Sequence, residues 1–250
     1  MNERARNPVK SVRTAFQIVE TLVERDGATV TELADALPVT KGTVHNHLAT
    51  LRERGYVIEA DGAYHVGLRF LYPADCARSR GPLSDQETDA VAKLAETTGE
   101  RADLVAKHGD HAIRLHSVVG DRYDGPLGVA GERLPFYCTA AGKVILAHAD
   151  ESVPEQVVDR EARTHRTITN SEKLESELRH IRDEGLAYDR GEYHSDLRAL
   201  AAPLFRTGDI CGAVGVVGPA DRLRGKTFQQ DLPGLVVSAA NQITGELDDL

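Results

Sequence analysis

Eight residues in one short stretch carry side chains suited to reading nucleic-acid bases: Thr40, Lys41, Gly42, Thr43, His45, Asn46, Ala49 and Arg52. A helix enters the major groove only where its side chains are short, and it must then offer polar groups to the base edges. Gly42 and Ala49 give clearance, while Thr43, His45 and Asn46 give polarity. Asn can pair bidentately with adenine, Thr can meet a phosphate or a thymine methyl, and Lys41 and Arg52 can hold the phosphate backbone. The same face would also suit a solvated surface in a protein–protein module.

Other chemistry is poorly supported. Ser195-Asp196 beside His194, and Cys138 near Lys143, are the best nucleophile candidates, but nothing pairs them into a triad or supplies an oxyanion turn. An enzyme is therefore not expected. Gly142-Lys143 lacks the earlier glycine and following Ser/Thr of a phosphate loop. His108, His111 and His116 straddle a turn and a strand without ligand spacing for one face, and the three cysteines, Cys76, Cys138 and Cys211, never form CxxC. Neither a metal, a cofactor nor a disulfide is expected.

Two amphipathic segments must position the polar face. Residues 9–26 place Val12, Ala15, Phe16, Val19, Leu22 and Val23 at three- and four-residue spacings, which predicts a helix stopped by Gly27. Thr31 is placed to cap a short helix over 32–36. Pro38 removes an N–H and pushes Leu37 out of helical angles, so the chain should break at Leu37-Pro38-Val39. Thr40 then caps a helix from Lys41 to Arg54, closed by Gly55. Its Val44, Leu48 and Leu51 share one face, opposite the base-reading residues. YVIEA and AYHVGL alternate as strands around Asp61-Gly62, a two-residue hairpin signal. Three helices and a hairpin in this order predict a winged helix-turn-helix over residues 1–69.

Residues 70–84 mix apolar residues with Pro, Gly and Arg and read as a partly helical linker. From Ser84 a helix should run to about residue 98. ADLVAK, HAIRLHSVV, LAYDRG, RALAAPLF and ICGAVGVVG read as strands, with helices near 140–148, 152–159, 171–184 and 227–248. Strands and helices do not alternate strictly, which favours an α+β domain with a largely antiparallel sheet over residues 85–250.

The 250-residue chain is 41% hydrophobic and 28% charged, as expected of a folded soluble protein, and it has no apolar run of about 20 residues. Its charged start, MNERARNPVK, lacks a signal-peptide core, so a cytoplasmic location is expected. Net charge is −9, unevenly placed: residues 1–80 hold eleven basic against ten acidic residues, net +1, leaving −10 for residues 81–250. Only the first part can approach a polyanion cheaply. Just 7 of 30 basic residues are Lys. With the acidic second part, this looks like the composition of proteins from salt-loving archaea.

TELADALPVTKGTVHNHLATLRERGYVIEADGAYHVG resembles the DNA-binding domain of the IclR family of bacterial and archaeal transcription regulators. LPFYCTAAGKVILA, and GLAYDRGEYHSDLRALAAPLF followed by GAVGVVGP, resemble the family's effector-domain signatures, so the likeness covers essentially the whole chain. Pro38 stands where the family usually has Gly, and Asn46 where it commonly has Arg. The helix angle and the base contacts should therefore differ, and no operator sequence carries over.

The resemblance implies a GAF-like effector domain whose curved sheet encloses a small-molecule pocket. By matching signatures, that pocket involves Cys138, Ala140, Ala141 and Gly142, then Asp189, Glu192, Leu197 and Ala199, then Gly215 and Val217. Two acids in a polar loop and one small buried thiol also have plain structural readings. In some family members hydroxyl and thiol groups near these last positions hold a short 2-oxo acid. Ala199, Gly215 and Val217 offer no such donor, so a larger or less charged ligand is expected. A carboxylate would need N–H groups after Thr139, or Arg198 turned inward. The resemblance also implies a homodimer on double-stranded DNA, an imperfect palindrome with half-sites about 10 bp or a multiple apart, pairing of dimers into tetramers, and repression more often than activation. The alternative is a winged-helix interaction module with a sensor domain that never touches DNA.

Overall fold

The computed structural model describes residues 7–81, 83, 88–149 and 161–248. The chain divides between Ser79 and Arg80 into two compact units. Ser84, expected to begin a helix, and the helix expected at 152–159 lie outside the described residues.

The first unit contains α1 (Lys10–Glu24), α2 (Val30–Ala36), α3 (Lys41–Glu53) and the antiparallel hairpin β1 (Val57–Ala60) and β2 (Ala63–Val66). A 3-10 turn at Leu68–Phe70 then leads into α4 (Leu71–Arg78), so much of the expected linker is helical. Thr29 caps α2, not Thr31. The Thr29 hydroxyl accepts from Glu32 N while the Glu32 carboxylate accepts from Thr29 N. A cap at Thr31 would have Ala34 three residues on, which cannot reciprocate. Thr40 caps α3 through Thr43 N. Asp61 and Gly62, with φ of 52° and 79°, form the positive-φ turn that matches strand twist.

Ile18, Leu22, Leu33, Val44, Leu48, Val57 and Tyr64 close the core of this unit. α1 does not bury the stripe its spacing suggests. Ile18, Thr21 and Leu22 face the core, while Val12, Phe16 and Val23 stay exposed along one side. The apolar arc of α1 is wider than one small core can cover, so part of it is left to solvent or to a partner. His47 of α3 reaches Thr43 O and Ser11 O, tying α3 to the start of α1.

The second unit is a six-stranded antiparallel sheet in the order β5-β4-β3-β8-β7-β6. Its strands are β3 (Arg101–His108), β4 (His111–Val119), β5 (Arg133–Leu134), β6 (Ala187–Asp189), β7 (Leu197–Arg206) and β8 (Asp209–Pro219). Alternation sends Ala102, Leu104, Leu200, Ala202, Val214 and Val216 to one face, against α5 (Thr88–Thr98) and α8 (Leu232–Asp248). The opposite face meets α6 (Ala140–His148) and α7 (Ser171–Glu184) through Val105, Ala187, Ala201 and Ala213. The last expected helix, 227–248, begins with a π-helical turn over Thr227–Asp231.

Gly142 is a packing requirement of α6. A Cβ there would stand 2.3 Å from Pro135 O and 2.6 Å from Phe136 Cα. Only glycine lets the helix lie this close to the preceding backbone.

Candidate functional site

The outward face of α3 carries Lys41, Gly42, His45, Asn46 and Ala49, all exposed, with Val44 and Leu48 fully buried behind them. Thr40 and Thr43 are drawn into the helix cap, their hydroxyls 3.0 Å apart. Thr50, which the sequence reading passed over, joins this face and bonds Asn46 O. Arg52 is placed differently from a free phosphate contact, because its guanidinium pairs with Glu59 of β1 and fastens the helix to the wing.

The second unit holds a cavity of about 250 Å³ on the α6 face of its sheet. Strand register defines the floor. Asp189, Ala199, Val217 and Arg101 form one row across β6, β7, β8 and β3, and Ala187, Ala201, Gly215 and Asp103 form the next. Each row spans three strand spacings, about 14 Å. The middle is small and apolar, with Asp189 at one end and Arg101 and Asp103 at the other.

Seven of the ten expected effector residues border this cavity: Ala140, Ala141, Asp189, Leu197, Ala199, Gly215 and Val217. Cys138, Gly142 and Glu192 are not among its lining. Cys138 is packed in the core, where burial first and the Asp189 charge second push its thiol up to about 12. Gly142 faces the Pro135 backbone. Glu192 turns to Lys143, whose ammonium is fully buried between Glu192 Oε1 at 2.7 Å and Glu177 Oε1 at 3.1 Å. Burial raises the Glu192 carboxyl above its ordinary value while Lys143 opposes the shift.

Asp189 Oδ1 accepts from Gly191 N at 2.9 Å and Glu192 N at 2.6 Å. Burial outweighs these bonds and raises its carboxyl to about 6. Arg198 borders the cavity but does not turn its guanidinium inward. Nη1 bonds Leu223 O and the group lies over the Phe228 ring, on the α8 side. Of the nucleophile candidates, Ser195 Oγ donates to its neighbour Asp196 Oδ1, and His194 Nδ1 accepts from Asp196 N, so the His194 nitrogen is engaged by backbone and not by the Ser195 hydroxyl.

Sequence reasoning missed the charged end. Arg101, Asp103 and Arg114 are each about 5% exposed or less. Asp103 Oδ2 accepts from Arg101 Nη2 at 3.1 Å and Arg114 Nε at 3.2 Å, and its Oδ1 from Ser117 Oγ at 2.7 Å. A regular strand would set Arg114 and Ser117, three residues apart, on opposite faces. The pairing shifts between Leu104 and Val105, leaving Leu115 as a bulge that brings Arg114 to the cavity face. The one visible signal was the i, i+2 spacing of Arg101 and Asp103 just ahead of the apolar run Leu104, Val105 and Ala106.

The arrangement defines a winged-helix DNA-binding unit joined to a small-molecule-binding α+β unit. Residues 11–59 match the family model for the IclR helix-turn-helix domain, and residues 79–245 match that for the bacterial transcriptional regulator IclR C-terminal domain. The chain belongs to the IclR family of transcriptional regulators. It is 32% identical over 248 residues to the "Probable HTH-type transcriptional regulator ArcR" of Halobacterium salinarum, covering 96% of this chain and 94% of that one. It is 26% identical over 250 residues to the transcriptional repressor IclR of Escherichia coli, covering 96% and 90%. Its fold matches an IclR homologue from Microbacterium hydrocarbonoxydans complexed with 4-hydroxybenzoate, at 20% identity and a TM-score of 0.82 over 96% of this chain and 100% of that one.

Proposed function

We propose that the protein is a repressor that holds its operator through α3 and changes that hold when a small metabolite fills the cavity. The observation that carries the DNA half is the α3 surface, short and polar at Gly42, His45, Asn46 and Ala49 and exposed above a buried Val44–Leu48 seam. In this reading Thr40, Lys41 and Thr43 meet phosphates near the helix start, Asn46 reads a base, and Arg52 acts through the wing. The effector set is Ala140, Ala141, Asp189, Leu197, Ala199, Gly215 and Val217, with Cys138, Gly142 and Glu192 supporting it from behind. We place the DNA-binding domain at residues 1–69, the linker at 70–84 and the effector domain at 85–250.

The protein acts as a homodimer on an imperfect palindrome, half-sites about 10 bp or a multiple apart. The exposed stripe of Val12, Phe16 and Val23, and the exposed Leu68, Leu71 and Tyr72, favour α1 and α4 as the dimer contacts. The regulatory names of its relatives favour a regulator without catalysis. No helix among the described residues is long and apolar enough to cross a membrane, which fits a cytoplasmic protein. The Halobacterium relative and the acidic, lysine-poor second part fit a salt-loving archaeal host.

The test is fluorescence anisotropy on duplex DNA from upstream of the protein's own gene, against a shuffled duplex, over a KCl series. Saturable preference for the native duplex is expected. Equal binding to both, with no site enriched in a genome-wide pull-down, would reduce the winged helix to a protein-interaction module.

A further inference from the structure

We propose that His47 is a positioning residue for DNA reading: with both ring nitrogens protonated it clasps α3 to the start of α1 and fixes the roll of the reading face. This rests on α3 as the element that enters the groove, and it adds a residue that acts through the helix and touches no base.

The partners of the ring define its working form. Nδ1 lies 2.8 Å from Thr43 O, one turn back on α3, and Nε2 lies 3.1 Å from Ser11 O on α1. Both partners are carbonyl oxygens, which only accept. A neutral imidazole has one N–H and satisfies one of them, whereas the imidazolium donates from both nitrogens. The neutral ring therefore releases either its own helix or α1, and only the charged ring joins the two.

No Asp or Glu lies within four residues of His47 or of Ser11 along the chain, so no acid of those segments draws the second proton in place of the carbonyls. The charges there are Lys10 and Arg13, which oppose it, and the other titrating group is His45 on the exposed face. On α2, the third helix of this core, Glu32 is engaged by Thr29 and Asp35 is exposed.

The position of the ring explains what the clasp holds. At 100° per residue, half-buried His47 borders the buried Val44–Leu48 seam on one side, and Arg52, paired with Glu59 of the wing, borders it on the other. The seam is held by non-directional apolar burial, which resists separation of the helices better than it resists rolling. With a helix radius of about 5–6 Å, a roll of about 10° moves a side-chain tip by about 1 Å. That exceeds the roughly 0.5 Å within which a recognition constellation must be held. The exposed Arg52–Glu59 pair is a weak restraint. Charge-assisted bonds from a half-buried ring to two backbone oxygens are the stronger one.

The experiment uses full-length wild type, His47→Gln and His47→Ala. Gln keeps one donor, as the neutral ring does, and Ala keeps none. Anisotropy on the native and the shuffled duplex is run from about pH 5 to about pH 8, where histidine changes charge. A ring charge that merely attracts phosphates would strengthen both duplexes alike, whereas a positioned α3 strengthens the native one selectively. At low pH the native-to-shuffled affinity ratio of wild type should exceed that of His47→Gln by about five-fold, the effect of one hydrogen bond. The two should converge as pH rises, with His47→Ala below both. His45 titrates in every variant, so it cancels in the comparison. Nitrogen-15 spectra of the histidine rings should show both His47 nitrogens protonated at low pH and one at high pH.

Parallel pH profiles for wild type and His47→Gln, or a single ring N–H at the lowest pH, would overturn the clasp. If His47→Gln does not fold, the wild-type ring spectrum, assigned through the backbone, decides alone. Native preference with parallel profiles sinks the clasp and leaves the regulator reading standing. No preference for the native duplex at any pH, with no site enriched in the pull-down, sinks the regulator reading, and the ring spectrum still decides whether the two helices are joined.

Discussion

The α3 face and the cavity floor are both rows of chosen side chains, yet they stand in opposite relations to solvent. On α3 Lys41, His45 and Asn46 are exposed and lie outside the Thr40 cap and the Arg52–Glu59 pair, so each can be changed with little cost to the fold. In the cavity Arg101, Asp103, Arg114 and Asp189 are all buried, as are Glu192 and Lys143 behind it, and each is held by another group. Reading a polyanion that brings its own water and ions needs a solvated, adaptable face. Holding one small molecule needs groups desolvated beforehand. Substitutions should therefore damage recognition alone on α3, and stability together with recognition in the cavity.

The largest effect expected is at Lys143. Lys143→Met leaves Glu192 buried without its cation and should cost about 3–5 kcal/mol in denaturant unfolding. Adding Glu192→Gln should restore part of that loss. His45→Ala, on the exposed face, should stay within about 0.5 kcal/mol. A mild Lys143→Met would break the contrast.

The next tests a single buried acid. Burial lifts Asp189 from 3.8 to about 6. Because folding favours its protonated form, the stability it contributes is fully present below about pH 4 and is lost as pH rises through about 6. The change is on the order of 3 kcal/mol. Glu192, Lys143 and Cys138 lie within electrostatic reach, so the measurement is the difference between wild type and Asp189→Asn at each pH. That difference should swing against wild type between pH 4 and 6.5. A flat difference would mean that Asp189 stays hydrated.

How far the sequence announces each region follows from the same contrast. α3 was legible because Val44, Leu48 and the Thr40 cap are local signals at helical spacing. The bounds of α6 and α7 also emerged, since Thr139 and Asn170 cap them and Gly185 stops α7 in a left-handed conformation. The small central residues of the cavity floor, Ala199, Gly215 and Val217, came through resemblance. Its charged end did not. Arg101 and Arg114 are joined by cross-strand register and by one bulged residue, which no short window of sequence contains. The face of α1 was misjudged for a related reason, because spacing shows an apolar arc but not which part of it a small core can reach.

Asn46→Ala should sharpen the comparison from the other side. Loss of a bidentate base contact should relax preference at one operator position by about 1–3 kcal/mol, with unfolding unchanged. Selection of bound duplexes from a randomised pool would show it. Unchanged specificity would place the reading element elsewhere.

The smallest expected effect concerns the Arg52–Glu59 ion pair, which joins the α3 helix to the wing. Arg52 and Glu59 are each about half exposed, so their pairing should contribute less than about 1 kcal/mol to stability. Their roles in binding can still be told apart. If Arg52 only fastens the wing, Arg52→Ala and Glu59→Ala should weaken operator binding equally, and the double variant no further. If Arg52 leaves Glu59 for a phosphate in the complex, Glu59→Ala should tighten binding and Arg52→Ala weaken it. Arg52→Ala should then also make the slope of log affinity against log salt shallower by about 0.9. The wing-fastening pattern is expected, because Glu59 competes for the guanidinium wherever salt screens the phosphates. With Arg52 so engaged and a net charge of only +1 over residues 1–80, the whole salt dependence should be shallow. A steep slope with many ions released would show that α3 holds its DNA by charge after all, and the contrast between a reading face and a charged cavity would fail.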